Sequence, residues 1–400
     1  MPRIQLDISR GMDVVQTPRV QQLCGMFDVP PTQHSQQSWR HCLDLPETWN
    51  VGVIVGPSGA GKSTLAREAF GNQLVENWAW PADQSILDGF PASLGIRDVA
   101  GLLSSVGFSS PPAWLRPYHA LSNGEQFRVN VARTLAEMPD LAVVDEFTSV
   151  VDRTVARFGS FAVARTVRRL NQRFVAVTCH YDVLDWLEPD WIYEPHMGKF
   201  TLNVGADGGA ASGSRDNVPR GSLWRGPPIH LRIIRTTAAA WKLFHRHHYL
   251  SADMHKSANC YLGLIEDRPA VFTGVLAFPH PSKPGWREHR TVCLPDFQGG
   301  GLGNAMSEFI ASIYAATGRN YYSTTSHLSM IRHRTASPNW RMIRRPSLGG
   351  RRGLWESAWT RLTASFVYCG PKRSVEAAAF GIRIRPVSSA NHAEAARSIA

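Results

Sequence analysis

The residues best suited to chemistry form a glycine-rich run closed by a lysine and two hydroxyls: Gly56, Pro57, Ser58, Gly59, Ala60, Gly61, Lys62, Ser63 and Thr64. Glycines let a backbone come close to a phosphate, and N–H groups at a helix start point their dipoles at it. Lys62 is placed to neutralise the β- and γ-phosphates of a nucleotide, and the Ser63 hydroxyl to bind magnesium. Downstream, the apolar run Leu141–Val144 ends in two carboxylates. Asp145 is placed to hold the magnesium and Glu146 to polarise an attacking water. The chemistry these residues describe is hydrolysis of ATP with Mg2+.

A second constellation lies in the C-terminal half. Gln298, Gly299, Gly300, Gly301, Leu302 and Gly303 follow a strand-like segment and open a helical pattern, a second arrangement fit for a pyrophosphate. Glu288 and His289 precede it, as candidates for a base. Tyr321, Tyr322 and His327 follow it; His327 or Tyr322 is a candidate acid, and the alternative is that one tyrosine simply faces the core. His245, His248, Tyr249 and His255 could ligate a metal, contact phosphate, or serve structure. Arg332, His333, Arg334, Arg341, Arg344, Arg345, Arg351 and Arg352 surround Trp340, a pattern suited to phosphates and to stacking on an unpaired base.

These residues need elements to position them. Strands are expected at Val51–Val55, Leu141–Val144 and Phe174–Thr178, alternating with helices as in a doubly wound sheet. Residues 1–45 read as a polar, Gln-rich approach with an apolar patch at Leu23–Val29. Residues 204–228, rich in Gly, Ser and Pro, read as a linker. An α+β pattern follows. Its strands are expected at His230–Ile234, Asn259–Ile265, Val271–Phe278, His289–Leu294, Asn320–Thr325 and Arg361–Tyr368. Its helices are expected at Thr236–His247, Gly301–Thr317 and Leu328–Arg334, with 332–352 irregular. The domains are thus 1–203 and 229–400, in a chain long enough for two cores.

Charge divides the same way. Residues 1–228 carry 20 Lys+Arg against 23 Asp+Glu, and residues 229–400 carry 23 against 9. A surplus of that size favours a polyanion, nucleic acid first, over a solvated basic face or an anionic-cofactor site. No apolar run is long enough for a membrane helix, and no membrane partner is expected. Six scattered cysteines without a Cys-x-x-Cys fit reduced thiols in the cytoplasm.

Between phosphate loop and carboxylates stands Leu121-Ser122-Asn123-Gly124-Glu125-Gln126. With it, the first half resembles the ABC-type ATPases across roughly residues 40–200. The resemblance implies that Ser122 and Gly124 contact the γ-phosphate of ATP held by a second subunit, so the protein is expected to be an ATP-dependent homodimer. It further implies a Ser149–Asp152 loop at that interface, a switch role for His180, magnesium sensing by Gln84, and adenine stacking by Trp39 or Phe27. The order departs from the family at Asn123 and Glu125. The segment Val292–Ala305 resembles motif A of the GNAT acyltransferases, which implies acetyl-CoA or a related acyl donor at Gln298, Gly299, Gly301 and Gly303. The tyrosine acid usual in that family is missing from the following helix. The basic half also resembles, loosely, the phage Mom type of DNA-modification enzyme. The expected architecture is an α/β P-loop ATPase of ABC type followed by an α+β GNAT-like domain, and the expected function an ATPase that modifies or acts on DNA. An ATP-regulated acetyltransferase acting on a protein or small molecule, and a non-catalytic DNA-binding ATPase, are the alternatives.

Overall fold

A computed structural model describes residues 3–28, 30, 34–203, 228–248, 254–280, 284–347 and 363–382. Tyr249, Arg351, Arg352 and all of the expected linker except Pro228 lie outside them. In chain order the first elements are β1 (Arg3–Asp13), α1 (Pro18–Phe27), β2 (His34–Asp44), β3 (Val51–Val55), α2 (Lys62–Phe70), β4 (Leu74–Val75), α3 (Ile96–Ser105), α4 (Pro111–Trp114) and α5 (Asn123–Glu137). Then come β5 (Leu141–Val144), α6 (Arg153–Leu170), β6 (Arg173–Thr178), α7 (Val183–Leu187), β7 (Trp191–Glu194) and β8 (Lys199–Leu202). The remainder is β9 (Arg232–Thr236), β10 (Asn259–Ile265), β11 (Arg268–Phe278), β12 (Gly285–Cys293), α8 (Leu302–Ala315), β13 (Asn320–Thr325), α9 (Leu328–Ala336), β14 (Trp340–Ser347), β15 (Thr363–Tyr368) and α10 (Ser374–Ala379). Two compact units result: Met1–Ala79, Arg133–Val151 and Val163–Pro227 form the first, and Trp80–Ala132, Asp152–Ala162 and Pro228–Ala400 the second. The last division, between Pro227 and Pro228, falls at the end of the expected linker, whereas residues 80–132 and 152–162 of the expected first domain group with the C-terminal sheet.

The first unit is built on a six-stranded sheet of order β4-β5-β6-β3-β7-β8, parallel except for β7 with β8. Every residue of β3 is buried, as an unbroken apolar strand in a sheet covered on both faces requires. Asp190 fixes the start of β3, its carboxylate accepting from Asn50 N and Val51 N at 2.8 Å each. The N-terminal residues are not a loose approach: β1 and β2 form an antiparallel ribbon with eleven paired positions. Ile4, Leu6 and Ile8 alternate toward the core along β1 and pack with Leu43 and Trp49, the period-2 pattern of a half-buried strand.

The second unit holds a seven-stranded sheet of order β14-β15-β13-β12-β11-β10-β9. All its neighbours are antiparallel except β12 and β13, which run parallel through three pairs only, Gly285–Asn320 to Arg287–Tyr322. Met306, Ile310, Ile313 and Tyr314 of α8 form the core with Val271, Val275, Tyr321 and Phe366. Phe158 of α6 belongs to that same core and meets Phe297 edge-on at 5.5 Å between ring centres. The helix expected over 236–247 is two 3-10 turns, Ala238–Leu243 and His245–His247. The stretch 332–352 is not irregular throughout: α9 extends to Ala336 and β14 occupies Trp340–Ser347.

A Cβ at Gly52 would fall 2.1 Å from the buried Trp191 ring. Gly52→Ala is expected to cost about 1–3 kcal/mol through overpacking of the β3–β7 pair, measurable as a lower midpoint in denaturant unfolding.

Candidate functional site

Strands β5, β6 and β3 are adjacent and parallel, with Val144 opposite Ala176 and Val55 opposite Thr178. Their C-terminal ends therefore share one edge of the sheet, where open α/β sheets bind ligands. Gly56 leaves β3 at that edge, Asp145 leaves β5, and His180 lies two residues beyond β6. Gly59 and Gly61 adopt φ of +80° and +76°, left-handed values that a side chain disfavours, and no heavy atom lies within 4 Å of a Cβ built on either. The cradle is thus open toward the start of α2. Lys62 is 8% exposed and its ammonium donates to Pro57 O at 2.8 Å, across the loop it closes. The residues present fit a nucleotide phosphate.

The carboxylate turn is equally fixed. Asp145 N donates to Val75 O at 3.2 Å, and Asp145 Oδ1 accepts from Glu146 N at 2.9 Å. Glu146 sits at φ +49°, and Ser149 Oγ donates to its Oε2 at 2.6 Å. That serine orients the carboxylate expected to meet water, a contact the sequence reading missed. His180 N donates to Thr178 Oγ1 at 3.1 Å, which sets the turn after β6. Trp39 packs partly buried against the first core, whereas Phe27 is 68% exposed.

Ser122, Gly124 and Gln84 belong to the second unit. Ser122 N and Oγ both donate to Glu125 Oε2, at 2.9 and 3.0 Å, while Glu125 N donates weakly to Ser122 Oγ at 3.4 Å. The departure at Glu125 is therefore a capping box at the start of α5, and Ser-x-x-Glu before a helical run is its sequence signal. Gly124 gives α6 room: a Cβ there would come 3.1 Å from Val155. Gln84 is exposed just ahead of a 3-10 turn at Ile86–Gly89.

No protein-family model matches the chain. It is 32% identical over 163 residues to the Fe(3+) ions import ATP-binding protein FbpC of Streptomyces coelicolor, covering 32% of this chain and 46% of that protein. It is 28% identical over 172 residues to the zinc import ATP-binding protein ZnuC 1 of Aliivibrio fischeri, covering 37% of this chain and 63% of that one. Over the matched residues the chain is similar to ATP-binding proteins of ABC type. It spans about half the length of the curated relatives it matches. Among solved structures it resembles a post-hydrolysis dimer of an ATP-binding cassette bound to ADP and Pi, with TM-score 0.34, 15% identity, and coverage of 42% of this chain and 92% of that one. Among the described residues no helix is long and apolar enough to cross a membrane.

The C-terminal constellation is rearranged from its sequence reading. Glu288 is no free base: its side chain is 7% exposed and bridges to Arg334, itself 1% exposed, at 2.8 Å. Thr291 Oγ1 donates to Glu288 at 2.6 Å, Ser323 donates to it as well, and Arg334 further donates to Ser307 Oγ at 2.7 Å and to Ser323. Burial alone would raise the Glu288 carboxyl. Arg334 and the surrounding hydroxyls outweigh it and hold the group below the ordinary carboxylate value. Its neighbour His289 is lowered to about 4 by burial and then by Arg290, Arg287 and His255, so it is neutral near pH 7. Tyr321 is fully buried in the core, the structural alternative. Tyr322 OH accepts from Asn320 Nδ2 at 3.0 Å, and the Tyr322 ring meets Phe278 edge-on. His327 is held neutral by burial, against the opposing effect of its bond to the Ser109 backbone, and its Nδ1 has no partner.

The glycine turn is also occupied. Gln298 Oε1 accepts from Ser109 N at 2.7 Å, and its Nε2 donates to Cys293 O at 3.0 Å. Gly299 and Gly300 lie against Phe158 and Ala162 of α6. Gln298 and Gly299 are therefore packing residues, which corrects their reading as donor contacts. Gly301 caps α8 at φ +80°, and Gly303 has open space at its Cβ. Trp340, 6% exposed, carries the Arg334 guanidinium 4.5 Å from its ring centre, so it cannot stack on a base. His245 Nδ1 lies 2.9 Å from Lys242 O, and His255 Nδ1 accepts from Ser257 N at 3.2 Å. Among the described residues no group of three His, Cys, Asp or Glu is placed to hold a metal.

Removing one partner of the buried pair strands the other charge. Arg334→Met is expected to cost about 3–5 kcal/mol, and adding Glu288→Leu to recover most of it, in denaturant unfolding. Because the native carboxyl is held low, its stabilisation is complete above the unfolded value near 4.5 and disappears as pH falls through the lower native one. Acid unfolding should therefore shift to higher pH in Glu288→Gln.

Proposed function

We propose that the chain binds and hydrolyses MgATP as a head-to-tail homodimer, and that its C-terminal sheet is a GNAT-like scaffold that grips nucleic acid, DNA by preference, without group transfer. The gathering of Gly56, Asp145 and His180 at one sheet edge carries the ATPase part. Lys62 would leave Pro57 O for the β- and γ-phosphates, and Ser63 with Asp145 would hold magnesium, which neutralises charge developing on the phosphates. Glu146, steadied by Ser149, would orient the attacking water and take its proton, with His180 beside the γ-phosphate. Ser122 and Gly124 would complete the partner's site.

The GNAT-like assignment is supported by a sheet with one parallel pair, β12 with β13, that separates after three residues, and by a glycine turn and helix that follow β12. The residues that would hold an acyl donor do not fit it. Gln298, Gly299 and Gly300 are packed, and the Glu288 oxygens are taken. This favours a scaffold over a transferase. The nucleic-acid reading rests on charge: no Asp or Glu occurs between Glu308 and Glu356, and Arg341 and Arg345 are exposed on the edge strand β14. A second reading, an ATP-binding subunit of an importer, is favoured by the names of the curated relatives.

Glu146→Gln is expected to lower turnover on the order of 10²–10⁴-fold while ATP-dependent dimers persist, and Lys62→Ala to lose both, as read by phosphate release and light scattering. A wild-type chain that stays monomeric with MgATP would sink the sandwich. For the C-terminal sheet, DNA affinity should fall steeply with salt. The Arg341→Ala, Arg345→Ala double variant should flatten the slope of log K against log salt by about 2. Affinity indifferent to salt would refute the phosphate contacts, and co-purification with a membrane permease would favour the importer.

A further inference from the structure

The turn that reads in sequence as a donor site is a close backbone approach within the second unit. Gly299 has φ +100°, and a Cβ there would lie 2.7 Å from Ala162 Cβ and 2.9 Å from Phe158 O. A Cβ at Gly107, φ +87°, would lie 2.8 Å from Gln298 O and 3.0 Å from Gly299 Cα. A Cβ at Gly300 would strike the Phe158 ring at 2.6 Å. Polar contacts close the rim. Arg128 of α5, buried and lowered to about 10 by that burial, donates to Asp296 O at 3.4 Å. Arg268 donates to Thr154 Oγ1 at 3.0 Å near the start of α6. The helices touched are the two that begin beside the family's interface segments: α5 starts one residue after Ser122, and α6 one residue after Asp152.

We propose that residues 295–300 are a coupling joint, through which nucleotide engagement at Ser122 and at the Ser149–Asp152 loop reaches β12 and α8 of the basic sheet. The joint works because three missing side chains let the turn seat directly on α6 and on the turn at Gly107. A shift of either helix must then move Cys293 at the end of β12 and Leu302 at the start of α8. This rests on the ATP-dependent dimer proposed above.

The test is hydrogen–deuterium exchange on the full chain carrying Glu146→Gln, with and without MgATP, with dimer formation followed by light scattering. ATP is expected to slow exchange across 290–303 at least several-fold. Adding Gly299→Val should abolish that response while dimers still form, and the milder Gln298→Ala, which loses the bonds to Ser109 and Cys293, should weaken it. Gly303→Ala, which meets no atom, should leave it intact. Dimers with unchanged exchange at 290–303, or a full response in Gly299→Val, would overturn the joint alone. Absence of an ATP-dependent dimer would overturn the ATPase reading and the joint with it.

Discussion

A turn can seat its backbone within van der Waals range of a second turn and of a helix only where the facing residues lack side chains, and that constraint shapes the second unit around Gly107 and Gly299. The meeting of Gly107 with Gly299 brings Phe158 into the core of the seven-stranded sheet and lets Phe297 close over it. It sets Gln298 against the Ser109 backbone and draws Arg128, at the cost of full burial, to the carbonyl of Asp296. A methyl group at either glycine would force the turn outward, and each of these contacts depends on its position. Phe158 shares the core of the C-terminal sheet, and residues 80–132 and 152–162 group with that sheet in one compact unit.

The divergence of β12 from β13 poses a second problem, because two parallel strands that part company leave polar backbone and a gap. Here the gap is filled by the chain's own groups. Glu288 leaves β12, Ser323 leaves β13, Ser307 leaves α8, and Arg334 reaches in from α9 over the face of Trp340. Desolvating two charges is expensive, and their attraction offsets it only where the remaining donors and acceptors are satisfied. Both Glu288 oxygens have partners, and the hydroxyls of Thr291, Ser323 and Ser307 complete the set. Such a network fixes the separation of the strands rather than leaving an opening, and it is the physical reason the sheet reads as a scaffold.

The parts legible in sequence were those whose signal is local. The phosphate loop, the apolar strand ending in Asp145 and Glu146, and β13 all lie where spacing and periodicity put them. The Glu125 cap has a local signal as well, Ser122-x-x-Glu125, but the sequence reading took Glu125 only as a departure from the family's signature. The rest depends on partners far apart in the chain: Gln298 meets Ser109 across 189 positions, and Arg334 meets Glu288 across 46. No local pattern distinguishes a glycine that admits a phosphate from one that admits a neighbouring helix, so Gly299 reads the same either way. Trp340 among arginines likewise resembles a stacking platform until its ring proves to carry Arg334 inside the fold.

The Glu125 cap bears on how the proposed dimer is controlled. A carboxylate already sits on the Ser122 amide and hydroxyl, the donors assigned to the partner's γ-phosphate. Engagement must exchange one anion for another, so the cap's stabilisation, about 1 kcal/mol, is set against association. That corresponds to roughly a fivefold weaker interface than an uncapped serine would give. The exchange favours a phosphate of higher charge over a carboxylate, and it leaves the signature satisfied when no nucleotide is present. Helix α5 therefore keeps its N-terminus, and through Arg128 its hold on Asp296, in the free chain. In the proposed dimer the cap would thus tilt association toward the nucleotide-bound state, which is the direction required for ATP to act as a signal to the basic sheet.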